Sequence, residues 1–284
     1  IIDDEFFTQF KRARDICRLV IERGIEVTLR ANCRIDYINR MEDEDLVLFR
    51  RAGFKHRYLG AESGTDRVLS FINKGITVEE TLAVNRKLRR AGIAPKFSFV
   101  GGFPSETLQE VKATLKLMER LVRENRDACC TPVQLFSPYP GTPLFDYCLQ
   151  TGMVMPASLD KWAECGWEIV NYNWLTPREN RLLSSIALFS FFLDGKTVAE
   201  SATKSWFRLA SRLYGFFVRQ RVRLGFYAFM PEVAAIRWEY NNMSRRKDRA
   251  RTKHYDISDR NATSGQPTAH PTAETVADRH PSEE

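Results

Sequence analysis

Residues 59–69, LGAESGTDRVL, combine side chains that suit ligand binding directly after an apolar run. Glu62 and Ser63 precede Gly64 there. A carboxylate in this position can accept hydrogen bonds from a ligand hydroxyl or ammonium group, and small residues let the ligand approach the backbone. From residue types alone, a structural interpretation is favoured as much as ligand binding. In that interpretation, Ser63 or Thr65 caps the next helix and Glu62 is a surface acid.

A second turn, FSFVGGFPSET at residues 97–107, places Gly101 and Gly102 at the end of an apolar strand pattern. Two glycines would leave backbone amides open to a ligand, and Pro104 fixes the turn before a helix. The spacing is not G-x-G-x-x-G, so it does not predict a Rossmann dinucleotide site. A glycine pair by itself is more often only a turn. The loop PYPGTPLF at 138–145 is also interpreted as a structural turn, although Tyr139 and Thr142 could touch a substrate.

The cysteines and histidines exclude several common kinds of site. No two cysteines are spaced as C-x-x-C, and no C-x-x-x-C-x-x-C is present, so neither a zinc knuckle nor an iron–sulfur loop is encoded. Three of the four histidines lie in the polar C-terminal tail. Histidine-rich zinc sites and hydrolytic triads are therefore poor hypotheses. The six cysteines are Cys17, Cys33, Cys129, Cys130, Cys148 and Cys165.

The elements that must position these residues read as repeated βα units. Strand-like runs begin at Ile1, Ile25, His56, Ala94 and Cys129, and amphipathic helical patterns separate them. Such units predict either an open doubly wound sheet or a barrel, and five strands are too few for an eight-stranded barrel. Both architectures place the chemistry at the carboxyl ends of the strands.

The C-terminal half has a different character. Aromatic-rich helices are expected from 156 to 240, followed by a disordered polar tail at 241–284. Residues 204–253 hold 13 Lys/Arg against 3 Asp/Glu, a balance of +10, so the rest of the chain sums to −3 and the net charge of +7 is due to this part. We expect the basic aromatic helix to pack on the main domain through its aromatic stripe, with contact to a membrane surface or nucleic acid as the alternatives. That helix contains Trp206, Phe207, Phe216, Phe217, Arg219, Arg221 and Arg223.

Neither a signal peptide nor an apolar run long enough to span a bilayer is found, which favours a cytoplasmic protein. The disulfide frameworks of secreted proteins are correspondingly not expected.

Read in order, the segments resemble the cobalamin-associated radical S-adenosylmethionine (SAM) enzymes, a group that includes the anaerobic magnesium-protoporphyrin monomethyl ester cyclase. Five blocks carry the resemblance, and their order and spacing make it specific over residues 1–155. The blocks are DDEF at 3–6, RANCRID at 30–36, LGAESGTDRVL at 59–69, FSFVGGFPSET at 97–107 and PYPGTPLF at 138–145.

The resemblance implies an α/β fold, a partial (βα)6 TIM-like barrel that lacks its first strand. It implies that Glu62 and Ser63 hold the ribose and amino group of SAM, and that Val100 contacts adenine. Gly101 and Gly102 lie along the same strand-end motif, and Arg34 would meet the methionine carboxylate. The cofactors it implies are SAM and a [4Fe–4S] cluster whose ligands lie outside this chain, with cobalamin left open.

The expected reaction is formation of a 5′-deoxyadenosyl radical for C–H functionalisation, methyl transfer or oxidative cyclisation of a tetrapyrrole, lipid or related metabolite. The partners would be that small molecule and an electron donor such as ferredoxin or flavodoxin; no nucleic acid is expected. Because the cysteine loop is absent, we hypothesise that the chain is a fragment, a truncated product or half of a split enzyme. The alternative function is a cluster-free binding or scaffold barrel.

Overall fold

The structure is a computed structural model that describes residues 5–154, 158, 172–196, 205–227, 230 and 233–234. The chain divides into two compact units, 1–233 and 234–284, and nearly all described residues belong to the first. The strand expected at Ile1 and the tail expected at 241–284 lie outside the described residues. The proposed domain boundary near 155 stays a prediction.

A four-stranded parallel sheet forms the centre of the fold, with the strands in chain order. Parallel neighbours joined by helical crossovers are the arrangement that repeated βα units produce. The structure thus confirms an α/β fold with a parallel sheet. The strands are β1 (Leu29–Cys33), β2 (Phe54–Glu62), β3 (Ala94–Gly101) and β4 (Cys129–Leu135).

Nine helices lie within the described residues. Their bounds are α1 (Phe10–Glu22), α2 (Ile35–Arg40), α3 (Asp43–Arg51), α4 (Asp66–Phe71), α5 (Val78–Arg90), α6 (Leu108–Glu124), α7 (Pro143–Gln150), α8 (Pro177–Ser190) and α9 (Ser205–Leu224). Among these helices, none combines the length and apolar character that crossing a bilayer demands.

Capping boxes start three of the longer helices. Thr77 begins α5 by accepting the Glu80 N–H while the Glu80 carboxylate accepts the Thr77 N–H, as the T-x-x-E spacing of residues 77–80 in the sequence predicts. Thr107 begins α6 and Thr176 begins α8 in the same way. Each cap satisfies backbone N–H groups that have no partner inside the helix.

The two faces of the sheet differ in character. One face packs against the helices through fully buried side chains such as Leu59, Phe97 and Phe99. The residues that alternate with them are only partly buried and more polar, among them Tyr58, Lys96, Ser98 and Val100. We call this second side the open face; its further members are Asn32, Gly60, Glu62 and Gln134. A sheet whose second face is polar and accessible provides a surface for a ligand.

The outer edge of β4 is covered by side chains of the C-terminal helices. The Val133 N–H donates to the Ser190 hydroxyl at 2.8 Å, and the Cys130 N–H donates to the Asp194 carboxylate at 3.1 Å. Pro132 within the strand has no N–H to leave unpaired. These features close an edge that would otherwise offer free backbone groups.

Two expectations from the sequence were wrong. The strand begins at Leu29 rather than Ile25, because residues 25–28 form an exposed connection from α1. In the aromatic stripe of α9, Phe216 and Phe217 do not face the core, since they are 51% and 61% exposed, and the side chains of Trp206 and Phe207 lie outside what the structure describes. The helix packs instead through small residues, as described below.

Candidate functional site

Glu62 ends β2 in a conformation that L-residues rarely adopt. Its φ is +60°, in the left-handed region, which costs a non-glycine residue about 1 kcal/mol. The carboxylate folds back over Gly60, where an added Cβ would come within 2.3 Å of Oε1. Gly60 is therefore required to give the carboxylate its place on the open face. Strained residues of this kind concentrate at ligand sites.

Lys74 holds the Glu62 carboxylate in position. Its Nζ donates to Oε1 at 2.7 Å, and both side chains are about three-quarters buried or more. The turn after α4 positions Lys74 beside Glu62. In this turn, Asn73 has a left-handed φ of +53°, and the Lys74 N–H donates to the Leu69 carbonyl. No described residue donates to Oε2, so that oxygen can accept a hydrogen bond from a ligand.

The residues after Glu62 anchor the strand end to α6. A Cβ on Gly64 would come within 2.5 Å of the Thr114 backbone, so only glycine allows this approach. The Gly64 N–H donates to the Thr114 hydroxyl at 2.8 Å. Ser63 is fully buried, and its hydroxyl accepts the Thr65 N–H at 3.4 Å. In this conformation Ser63 stabilises the turn and does not reach the open face.

A buried acid accepts the backbone N–H groups of the glycine turn at the end of β3. Glu106 accepts the Gly102 N–H at 2.6 Å and the Phe103 N–H at 3.1 Å through one carboxylate oxygen. Gly102 has a φ of +89°, and a Cβ there would lie 2.5 Å from the Tyr172 ring. Gly101 faces the helices, where an added Cβ would be 3.0 Å from Val133. The predicted open amide of Gly102 thus has an internal acceptor.

Burial dominates the electrostatics of this loop. It raises the pKa of Glu106 to about 7, even though the two N–H donors act in the opposite direction. Its second oxygen, Oε1, is buried without a hydrogen-bond partner among the described residues. The acid is therefore an internal support of the loop with a titration close to neutral pH.

Two other predicted site residues lie at neighbouring strand ends. Val100 is partly buried in β3 and pairs with Gln134 of β4, on the open face. Arg34 follows β1 directly, and its Nε donates to Asp36 at 2.9 Å. The structure thus places Glu62 and Val100 on one face, whereas Arg34 already has a carboxylate partner.

Sequence reasoning missed Lys74 and Glu106. Glu106 lies in the turn FPSET, directly before the capping Thr107. An acid at such a position usually lies near the helix N-terminus at the surface, so the residue type gave no sign of a buried carboxylate. Lys74 lies twelve residues after Glu62, and only the left-handed Asn73 brings the two together. No group of three His, Cys, Asp or Glu side chains within the described ranges is arranged to hold a metal ion.

Comparison with known proteins relates the first part of the chain to one superfamily. Residues 1–118 match the family model described as the Radical SAM superfamily. Over these residues the chain is similar to radical SAM domains. An uncharacterized methyltransferase of Pyrococcus horikoshii is 26% identical over 222 residues, which is 78% of this chain and 45% of that protein. This match and this relative support the prediction that the chain is part of an enzyme.

A second relative is the tRNA-2-methylthio-N(6)-dimethylallyladenosine synthase of Thiobacillus denitrificans. It is 40% identical over 94 residues, 32% of this chain and 20% of that protein. Among solved structures, the apo form of the cobalamin-dependent SAM radical enzyme OxsB matches with a TM-score of 0.54 and 15% identity, covering 85% of this chain and 42% of that one. This likeness shows a shared fold. The chain spans less than half the length of each of these three proteins.

Proposed function

We propose that the chain is the SAM-binding part of a radical SAM enzyme and that its open face holds the nucleoside half of SAM. In such enzymes, a [4Fe–4S] cluster supplies the electron that cleaves SAM to a 5′-deoxyadenosyl radical. The contribution of this chain is to bind and orient the nucleoside and to exclude water around it. The observation that carries the proposal is the strained Glu62 carboxylate, held by Lys74 over Gly60 at the end of β2.

The described residues fit a nucleoside. The free Oε2 of Glu62 is suited to accept a hydrogen bond from a ribose hydroxyl, and Lys74 holds the carboxylate in place. Val100, one strand away, offers an apolar surface to the adenine ring. Arg34 donates a hydrogen bond to Asp36, so it would have to break that contact before it could bind the methionine carboxylate. Gly101, Gly102 and Ser63 are proposed to contribute through the shape of the two turns.

The described residues do not fit an iron–sulfur cluster. The sequence contains no C-x-x-x-C-x-x-C, and four of the five described cysteines are buried. We therefore place the cluster ligands outside this chain and derive no step through the cluster.

The finer assignment is also part of the proposal. The fold likeness to a cobalamin-dependent radical enzyme and the methyltransferase relative support a place among the cobalamin-associated enzymes, including those that resemble the magnesium-protoporphyrin ester cyclase. The proposed reaction is methyl transfer, C–H functionalisation or oxidative cyclisation of a tetrapyrrole, lipid or related metabolite. A ferredoxin or flavodoxin is the proposed electron donor.

Calorimetric titration of the purified chain tests the proposal. Because the chain is assigned the nucleoside half, SAM and 5′-deoxyadenosine should bind with similar affinities. Glu62→Gln should weaken both by about tenfold or more, since a charge-assisted hydrogen bond is lost. The matched control is Glu44→Gln, which alters an exposed acid on α3. Absence of binding, or equal affinity of Glu62→Gln and the native chain, would refute the assignment.

A further inference from the structure

Helix α9 presents an apolar stripe to solvent along most of its length. The stripe consists of side chains that are 51–82% exposed: Leu209, Leu213, Phe216, Phe217 and Leu224. These positions follow helical spacing and therefore lie on one side of the helix. Contiguous exposed apolar surface of this kind marks an interaction site.

The opposite side of the same helix is the one that packs. It contains Ser211, Gly215, Val218 and Val222, all buried. A Cβ on Gly215 would come within 2.9 Å of the Gly195 backbone, so the two segments are in close contact. Packing has therefore fixed the orientation of α9, and the leucines and phenylalanines point outward because of it.

A basic groove runs beside the stripe, between α6 and α9. Its volume is about 470 Å³, and Phe216 belongs both to its wall and to the stripe. The ionisable residues that line it are Arg123, Arg126, Asp194, Lys196, Arg212, Arg219 and Arg223, six basic groups against one acid. The groove carries a net positive charge that an anionic ligand would balance.

Several of these charges lack an internal counter-ion. The guanidinium groups of Arg126 and Arg212 have no hydrogen-bond or ion-pair partner among the described residues. The Arg219 side chain donates to the Leu193 carbonyl, and burial together with the adjacent Arg223 lowers its pKa. Arg223 itself pairs with Glu119 at the rim. Arginine-rich concavities with free guanidinium groups are suited to phosphate.

We propose that α9 and the groove beside it form a docking surface for an anionic phospholipid bilayer. The stripe inserts at the boundary between headgroups and acyl chains, and the groove receives lipid phosphates. An apolar stripe flanked by arginines is the arrangement of helices that lie in a membrane interface. A nucleic-acid surface accounts less well for the stripe, because Leu209, Leu213 and Leu224 have no ring on which a base could stack.

Vesicle co-sedimentation of the full chain tests the proposal. The chain should bind vesicles that contain phosphatidylserine, release from them as salt is raised, and bind pure phosphatidylcholine weakly. Arg126→Gln/Arg212→Gln should lower the partition coefficient about thirtyfold. Leu213→Ser/Phe217→Ser should lower it about tenfold or more. All four side chains are solvent-exposed, so the fold should tolerate these changes.

Matched variants separate this surface from general charge and hydrophobicity. Arg51→Gln/Arg90→Gln removes two exposed arginines from α3 and α5, and binding should stay within about twofold of the native chain. Absence of vesicle binding would overturn the proposal, as would equal losses in the control and groove variants. A dimer in analytical ultracentrifugation that Leu213→Ser/Phe217→Ser dissociates, without vesicle binding, would assign the stripe to a second copy instead. Salt-sensitive binding to RNA without vesicle binding would assign the groove to nucleic acid.

Discussion

Glu106 gives the sharpest test of the loop that follows β3. Its carboxyl group is buried beneath Gly102 and Phe103, and burial raises its pKa to about 7 from an ordinary value of 4.5. The folded protein therefore disfavours the ionised form. The change to make is Glu106→Gln, because glutamine keeps an oxygen for the two N–H donors and has no charge to bury.

The sign of the effect follows from linkage. A carboxyl group whose pKa is raised in the folded protein makes its full contribution to the unfolding free energy below pH 4.5. That contribution is lost as the pH rises through 7. One pKa unit corresponds to about 1.4 kcal/mol, so the loss across this window is roughly 3 kcal/mol. Glu106→Gln removes this dependence. Relative to the native chain, the variant should gain roughly 3 kcal/mol of unfolding free energy between pH 4.5 and 8.

Urea unfolding at pH 4.5, 6 and 8, followed by circular dichroism, measures this difference. Glu110→Gln is the control of opposite sign, because hydrogen bonds from Arg67 lower the pKa of Glu110 to about 2. Its contribution is present above pH 4.5 and fades toward pH 2, so Glu110→Gln should destabilise the chain at neutral pH and less so in acid. Parallel pH curves for the native chain and Glu106→Gln would refute the description of the loop.

Three further substitutions test the strand ends and the core. Gly60→Ala should weaken SAM binding by about tenfold, because the added Cβ displaces the carboxylate of Glu62. The melting temperature should not fall, since only the flexible ends of Glu62 and Lys74 must move. An unchanged affinity would contradict this expectation. Gly64→Ala should lower the unfolding free energy by about 1–3 kcal/mol, because its Cβ meets the α6 backbone; a neutral effect in urea would disagree. Arg57→Met should raise the unfolding free energy by about 1–3 kcal/mol, because the fully buried guanidinium has no hydrogen-bond partner among the described residues. A large destabilisation would contradict this, since it would show that the contacts of Arg57 with aromatic rings outweigh the cost of burying its charge.

The sequence predicted the features that follow from local patterns. Strand and helix order, the parallel sheet and the cap at Thr77 all arise from hydrophobic period and short-range hydrogen bonds, and the structure has them. The importance of the segment around Glu62 was also accessible, because a carboxylate followed by small residues at a strand end is an uncommon combination.

The missed features depend on contacts that no local pattern encodes. The Glu62–Lys74 pair requires a left-handed Asn73, and the Glu106 carboxylate turns inward because Gly102 presents its N–H there. The aromatic residues of the outward stripe were interpreted as core because their spacing fits a packed helix face. Which face packs is decided by Gly215 against Gly195, a contact made possible only by the tertiary fold.

The proposed binding site for the nucleoside half of SAM lies on the open face, at the carboxyl ends of β2 and β3. Amide chemical-shift mapping of the isotope-labelled chain with 5′-deoxyadenosine tests it most directly. We expect the largest shifts at residues 60–63 and 98–102, together with Lys74, and we expect these shifts to disappear in Glu62→Gln. Shifts confined to the outer helices, or spread evenly over the chain, would contradict it.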